Sequence, residues 1–141
     1  MPTDMTAVIL AAGQGSRLRP AGLDIPKCLV EVGGTPIIEH QLNSLDASGI
    51  CDVLVVGGYK AELIQRHLGD RVRYRTCDTW ESSNNFLTLW SIRDELVGGF
   101  VCLFADLICG VDPIAEILAE SSDICTIVDT SRVLEGTMRV Q

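Results

Sequence analysis

Thr6-Ala7-Val8-Ile9-Leu10-Ala11-Ala12-Gly13-Gln14-Gly15-Ser16-Arg17 opens on an uncharged, mostly apolar run and passes at once into glycines, a hydroxyl and a cation. A continuous apolar run bounded by turn residues reads as a strand buried on both faces that ends in a loop. Gly13 and Gly15 tolerate positive φ and can turn successive N–H groups toward one point, a nest that suits a polyphosphate. Arg17 then offers a planar fork to phosphate oxygens, and Lys27, after Pro26, a compact point charge. A glycine-rich turn with ordinary surface cations is the plainer reading of the same residues. Leu18 stands where a dinucleotide fingerprint needs its third glycine, and the Gly-Lys-Ser/Thr of a P-loop is missing.

Working outward, strand and helix signals alternate. Cys28 to Val32 is a short extended piece closed by Gly33-Gly34, and Pro36 opens a helix that runs to about Ala47 before Ser48-Gly49. Cys51 to Val56 is a second buried strand ended by Gly57-Gly58. Ala61 to Leu68 is expected to be helical, Val72 to Thr76 extended, and Asn84 to Leu96 a helix with an apolar stripe that includes Trp90 as a core residue. Phe100 to Ala105 is the fourth strand, Pro113 to Glu120 a helix and Ile124 to Val128 a fifth strand. Strands apolar throughout, separated by helices, predict an α/β fold: a doubly wound, mostly parallel sheet with helices on both faces, Rossmann-like in kind. Ligands of such sheets bind at the strand carboxyl ends, so chemistry is expected in the loops after Ala11, Val56 and Ala105.

The bulk properties bound the function. A chain of 141 residues is expected to form one domain, 1–141. The net charge of −8 excludes nucleic acid as the main partner and requires a few placed cations and a metal if a triphosphate is to bind. No apolar run is long enough to span a bilayer and no signal-peptide core is visible, which predicts a cytoplasmic protein without a membrane partner. The cysteines Cys28, Cys51, Cys77, Cys102, Cys109 and Cys125 form no Cys-x-x-Cys pair and read as buried free thiols. His40 and His67 are too far apart to suggest zinc.

Asp106 follows the fourth strand directly. A carboxylate at that strand end is well placed to hold Mg²⁺, which keeps several waters and shares phosphate oxygens. A helix N-cap or a solvated loop residue is the alternative.

The string Leu10-Ala11-Ala12-Gly13-Gln14-Gly15-Ser16-Arg17-Leu18-Arg19-Pro20, then Pro26-Lys27, then Gly34-Thr35-Pro36-Ile37-Ile38, resembles the signature of the sugar-nucleotidyltransferase-like superfamily. The resemblance covers Thr6 to Val140 and is weakest after Gly110. It implies that Leu10, Ala11, Ala12, Gly13, Gly15 and Ser16 hold the nucleotide, that Arg17 contacts the triphosphate, and that Lys27 stabilises charge building on the α-phosphate. Asp106 matches the superfamily's metal-binding position, which makes Mg²⁺ the implied cofactor.

Ser83-Asn84-Asn85-Phe86 looks like the phosphocholine and aminoalkylphosphonate cytidylyltransferase branch. An Asn amide carries both donor and acceptor and can read a cytosine edge, though Asn is equally a favoured helix cap. Ser83, Asn84 and Asn85 are therefore candidate nucleotide contacts, and Tyr59 borders either the base pocket or the core. The implied partners are an NTP, CTP by preference, and a small anionic acceptor such as phosphocholine; self-association is compatible with the sequence. The implied reaction moves CMP onto that acceptor with release of pyrophosphate. A sugar-1-phosphate nucleotidyltransferase and a nucleotide-binding module without turnover are the alternatives. Superfamily members run longer, so the single domain is expected to lack the acceptor-binding part, and Asp123, Asp129 and Glu135 supply no convincing second metal ligand.

Overall fold

The computed structural model describes residues 4–16, 22–129 and 131. Strand β1 (Thr6–Ala11) is buried along its whole length, as an uninterrupted apolar run should be in a central strand. A 3-10 turn at Lys27–Leu29 leads into a small hairpin, β2 (Glu31–Val32) and β3 (Thr35–Pro36). Gly33 and Gly34, at φ 63° and 80°, make its two-residue turn, which demands positive φ at both positions. Helix α1 (Ile37–Ala47), strand β4 (Asp52–Gly57), helix α2 (Ala61–Leu68) and strand β5 (Arg73–Thr76) follow. Helix α3 (Asn85–Ser91), strand β6 (Phe100–Phe104) and helix α4 (Val111–Ala119) complete the order.

The main sheet is parallel, with strand order β5-β4-β1-β6. The chain therefore steps outward from β1 through β4 to β5, then returns to place β6 on the other side of β1. That reversal is a topological switch point, located between β1 and β6. Alternation along β1 divides the core. Ala7, Ile9 and Ala11 pack with Ile38 and Leu45 of α1, Ile64 and Leu68 of α2, and Ile114 of α4. Val8 and Leu10 face the other way, against Ile92, Cys77 and the partly buried Leu89 of α3. Each wholly buried Ile or Leu contributes about 1.5–3 kcal/mol through the water it leaves.

Opposite the strand carboxyl ends, charge ties the sheet together. Arg73 forks onto Asp52 at 2.7 and 2.8 Å and also reaches Glu95, which receives Arg75 as well. The Arg73 guanidinium holds the Asp52 carboxyl below its ordinary range, helped by the Thr6 hydroxyl.

Several expectations need correction. Ile124 to Val128 forms no strand and is exposed, although β6, at the end of the sheet, leaves an edge open among the described residues. Strand β6 is not apolar-buried on both faces: Phe100, Cys102 and Phe104 are exposed while Val101 and Leu103 are buried. Helix α3 stops at Ser91 and a 3-10 turn, Arg93–Glu95, finishes the stretch expected to be one helix. Trp90 is consequently 56% exposed rather than core, stacked on Phe86 with Arg93 over its ring. The cysteines are free, yet only Cys28 and Cys77 are buried, whereas Cys51, Cys102 and Cys125 are exposed. No helix among the described residues is long and apolar enough to cross a membrane.

Candidate functional site

A cleft of about 230 Å³ opens at the switch point, where β1 and β6 end side by side. Leu10 and Ala11 come from the tip of β1, Phe104 from the end of β6 with Ala105 just beyond it, Asn85 from the start of α3, and Gly13, Lys27 and Asp106 from the surrounding turns. The Ala105 N–H donates to the Leu10 carbonyl at 3.2 Å and carries the strand pairing one residue past β6. Asp106 thus begins where the sheet ends.

The two glycines of the first loop differ. Gly15 takes the left-handed conformation expected of it, at φ 59°. Gly13 does not, and a Cβ there would meet nothing within 4 Å. Its lack of a side chain leaves bare backbone on the cleft wall, which is what close approach of a ligand needs. Ala12 is buried and Ser16 exposed at the end of the described stretch. Arg17 lies outside the described residues, so its expected triphosphate contact has no structural counterpart.

Lys27 sits at the head of the 3-10 turn, between two buried neighbours, Pro26 and Cys28. The Leu29 N–H bonds the Pro26 carbonyl at 2.9 Å and the Val30 N–H bonds that of Lys27 at 3.0 Å. The backbone under the ammonium is therefore fixed from both sides. Burial pushes the neighbouring Cys28 thiol up to about 12, so it stays protonated and inert. From this seat Lys27 Nζ reaches Asp106 Oδ2 at 3.4 Å. Asp106 is not a helix cap, since α4 is capped by Gly110. Its carboxylate is 61% exposed and faces the cleft's lysine.

Behind Asp106 stands a residue that sequence reading missed. Gln41 of α1 is wholly buried and donates from one amide nitrogen to the carbonyls of Phe104 and Leu107, each at 2.7 Å. Its Oε1 has no partner among the described residues. Stranding such an acceptor costs roughly 1–3 kcal/mol. One turn on, the Ser44 hydroxyl donates to the Cys109 carbonyl at 2.8 Å. The signal was present: Gln41 interrupts the apolar stripe Ile37, Ile38, Leu45 of an amphipathic helix.

The loop after β4 props the first loop from the side. The Tyr59 N–H bonds the Ala12 carbonyl at 3.1 Å, and its hydroxyl donates to the Asp24 carboxylate. Its ring meets Trp80 edge-on at 5.4 Å. Lys60, in the left-handed region at φ 47°, also grips Asp24 at 2.7 Å, and that carboxylate raises the lysine's pKa. Gly58 permits this approach: a Cβ there would collide with Trp80 and come within 2.8 Å of the Ala12 carbonyl. Tyr59 therefore buttresses the loop and does not line the cleft.

The two asparagines part company. Asn84 Oδ1 accepts the Leu87 N–H at 2.9 Å and caps α3. Asn85, the first residue of that helix, lines the cleft. The Ser83 hydroxyl is turned to the Asn84 carbonyl and to Thr88, both at 3.3 Å. The structure accordingly brings Leu10, Ala11, Gly13, Lys27, Asn85 and Asp106 to one cleft, and leaves Ala12, Gly15, Ser16, Tyr59, Ser83 and Asn84 around it. No cluster of three or more metal-ligating side chains occurs among the described residues.

A parallel sheet whose switch-point cleft opposes a lysine and a carboxylate over bare loop backbone defines a nucleotide-handling α/β protein. The chain belongs to the MobA-like NTP transferase domain family, whose model matches residues 7–131. It is 38% identical over 100 residues to the choline-phosphate cytidylyltransferase of Streptococcus pneumoniae, a match spanning 69% of this chain and 43% of that protein. It is 29% identical over 135 residues to the CTP:phosphoglutamine cytidylyltransferase of Campylobacter jejuni, spanning 90% of this chain and 53% of the other. The solved structure of the Streptococcus pneumoniae CTP:phosphocholine cytidylyltransferase matches with a TM-score of 0.66 at 37% identity, covering 72% of this chain and 45% of that one. The chain thus spans about half the length of these relatives.

Proposed function

We propose that this chain carries the nucleotide-binding site of a magnesium-dependent cytidylyltransferase of the cytoplasm, which moves CMP from CTP onto a small phosphorylated or phosphonate acceptor. The observation that carries the proposal is the single cleft shared by Lys27, Asp106, Asn85 and the bare backbone of Gly13. The relatives named above, which act on CTP with choline phosphate or phosphoglutamine by their names, support the choice of base and of acceptor class.

Asp106 fits a magnesium ion as a one-carboxylate site. Its oxygens are hard donors, exposed at the cleft, and Mg²⁺ is commonly held by one or two carboxylates together with substrate phosphates. Bound there, the ion would offset phosphate charge and help orient the triphosphate.

The acceptor's phosphate or phosphonate oxygen attacks the α-phosphorus of CTP in line, forming the new P–O bond as the bond to the β-phosphate oxygen breaks and pyrophosphate departs. An anionic nucleophile needs no general base. The work left to the protein is positioning and charge neutralisation. Lys27 leaves Asp106 for the α-phosphate oxygens, the amides of the Leu10–Gly15 loop and the Arg17 guanidinium hold the triphosphate, and Asn85 is poised to read the cytosine edge. Ser83, Asn84 and Tyr59 hold the walls of the site in shape.

Calorimetric titration with CTP, UTP, dTTP and ATP, each with and without Mg²⁺, tests the proposal. Binding of CTP at least about ten-fold tighter than the others, and dependent on Mg²⁺, is the expected result. Equal affinity for all of them, or none, rejects it. A binding module without turnover is favoured by one observation: Asp106 is the sole carboxylate lining the cleft among the described residues. Exchange of labelled pyrophosphate into CTP in the presence of phosphocholine or an aminoalkylphosphonate separates the two readings.

A further inference from the structure

Gln41 has no part in the chemistry above, and its surroundings do not explain it as packing. It occupies a wholly buried position on the apolar face of α1, beside Ile38 and Leu45, where an aliphatic side chain would bring no unpaired acceptor of its own. It keeps an amide instead, with Oε1 unpartnered among the described residues. What the amide does make is specific: its nitrogen bridges the carbonyls of Phe104 and Leu107, which bracket Ala105 and Asp106.

We infer that Gln41 is a positioning residue that fixes the Asp106 carboxylate at the cleft by clamping the backbone on both sides of it. The inference rests on the proposed role of Asp106. Asp106 itself is held weakly. Its side chain is exposed and its contact with Lys27 is long, at 3.4 Å. The turn beneath it is closed by the Leu107 N–H on the Phe104 carbonyl at 3.1 Å, so the same carbonyl receives both the turn bond and the Gln41 amide. Two short bonds from one rigid helix side chain thus define where the strand stops and which way the next residue projects. A carboxylate that shares a cation with a mobile triphosphate gains most from such support, because the groups behind a metal ligand set its orientation.

The test compares Gln41→Met, which keeps the volume and removes the amide, with Ser44→Ala, which releases only the Cys109 carbonyl. Hydrogen exchange on the full chain is expected to speed up at least about ten-fold at the Leu107 amide in Gln41→Met, with β4 and α2 amides unchanged. Half-saturating Mg²⁺ in CTP turnover is expected to rise about ten-fold, with kcat falling and the KM for CTP moving less than about two-fold. Ser44→Ala is expected to lower Tm and leave the Mg²⁺ dependence where it was. Gln41→Asn, whose amide falls one methylene short, replaces Gln41→Met if the latter does not fold. A Gln41 variant that loses thermal stability alone, with wild-type exchange at Leu107 and wild-type Mg²⁺ dependence, overturns the inference. Should the wild type not turn over CTP, the functional proposal falls, while the exchange measurement still decides whether Gln41 holds the turn.

Discussion

Lys27 and Asp106 meet across the cleft, Nζ to Oδ2 at 3.4 Å, although 79 residues separate them in the chain. One comes from the turn after β1 and the other from the end of β6, so the contact records the crossing that places β6 beside β1. With side chains 33% and 61% exposed, such a pair stabilises the fold by at most about 1 kcal/mol. Its significance lies in charge. Among the described residues, the cation and the anion at the mouth of this cleft pair only with each other.

Lys27→Ala and Asp106→Asn are therefore expected to shift unfolding free energy by no more than about 1 kcal/mol each. Each is expected to lower cytidylyl transfer by about a hundred-fold or more, in line with the loss of one charge-stabilising group. Thermal melts alongside initial rates read both quantities. Wild-type rates in either variant would remove Lys27 or Asp106 from the mechanism.

Adjacent asparagines should respond differently. Asn84→Ala removes the cap that accepts the Leu87 N–H and should cost about 1 kcal/mol of stability, with nucleotide preference intact. Asn85→Ala leaves the cap alone and alters the cleft wall, so the ratio of CTP to UTP affinity should fall while Tm stays within a degree or two. Urea melts and calorimetry on the pair of variants distinguish the roles, and a reversed pattern would exchange them.

How far the sequence foretold this structure depends on range. β1 and α2 were legible to the residue because apolar run, glycine stop and helical spacing are local signals. The meeting of Lys27 with Asp106 was approachable through strand-end logic, since both loops open at the same sheet edge. Trp90 was misread because an apolar stripe says that a face wants cover without saying whether cover exists; α3 ends early and the outer face of β6 beside it is bare. Ile124 to Val128 failed for a related reason: an edge is open on β6, yet the segment lies exposed outside any strand, since β propensity is realised only through packing against neighbours that the local pattern does not report. Gln41 and the Asp24–Tyr59–Lys60 contacts join residues 35 or more apart through backbone carbonyls and side chains, which composition and periodicity do not encode.

Gly58 carries the closest backbone approach beside the first loop. Gly58→Ala would drive a methyl into Trp80 and the Ala12 carbonyl, and overpacking of that kind costs about 1–3 kcal/mol. Because the Tyr59 N–H holds that same carbonyl, the variant should also weaken nucleotide binding, unlike an equally destabilising change on α2 such as Leu68→Ala. Tm by circular dichroism with CTP titration checks this. Equal affinities in the two variants, compared well below their melting temperatures, would show that the β4 loop does not shape the site.

Acid should loosen the docking of α2 onto α1. Glu39 on α1 takes a forked contact from Arg71 at 2.6 and 3.0 Å and a further one from His67 at 2.7 Å. The Arg71 hydrogen bonds lower its pKa from the ordinary 4.5, against the opposing effect of partial burial. A carboxyl whose folded pKa is depressed contributes stability that is fully present above its unfolded value and lost as pH falls through the folded one. The contribution should therefore be constant from pH 7 down to about 5 and decline below about 4.5. With Glu39 one-fifth exposed and Arg71 half exposed, about 1 kcal/mol is a fair size for it. Asp52, lowered by Arg73, adds to the same slope. Wild type and Glu39→Gln should accordingly differ in Tm at pH 7 and converge toward pH 3, and curves that stay parallel over that range would assign the acid sensitivity elsewhere.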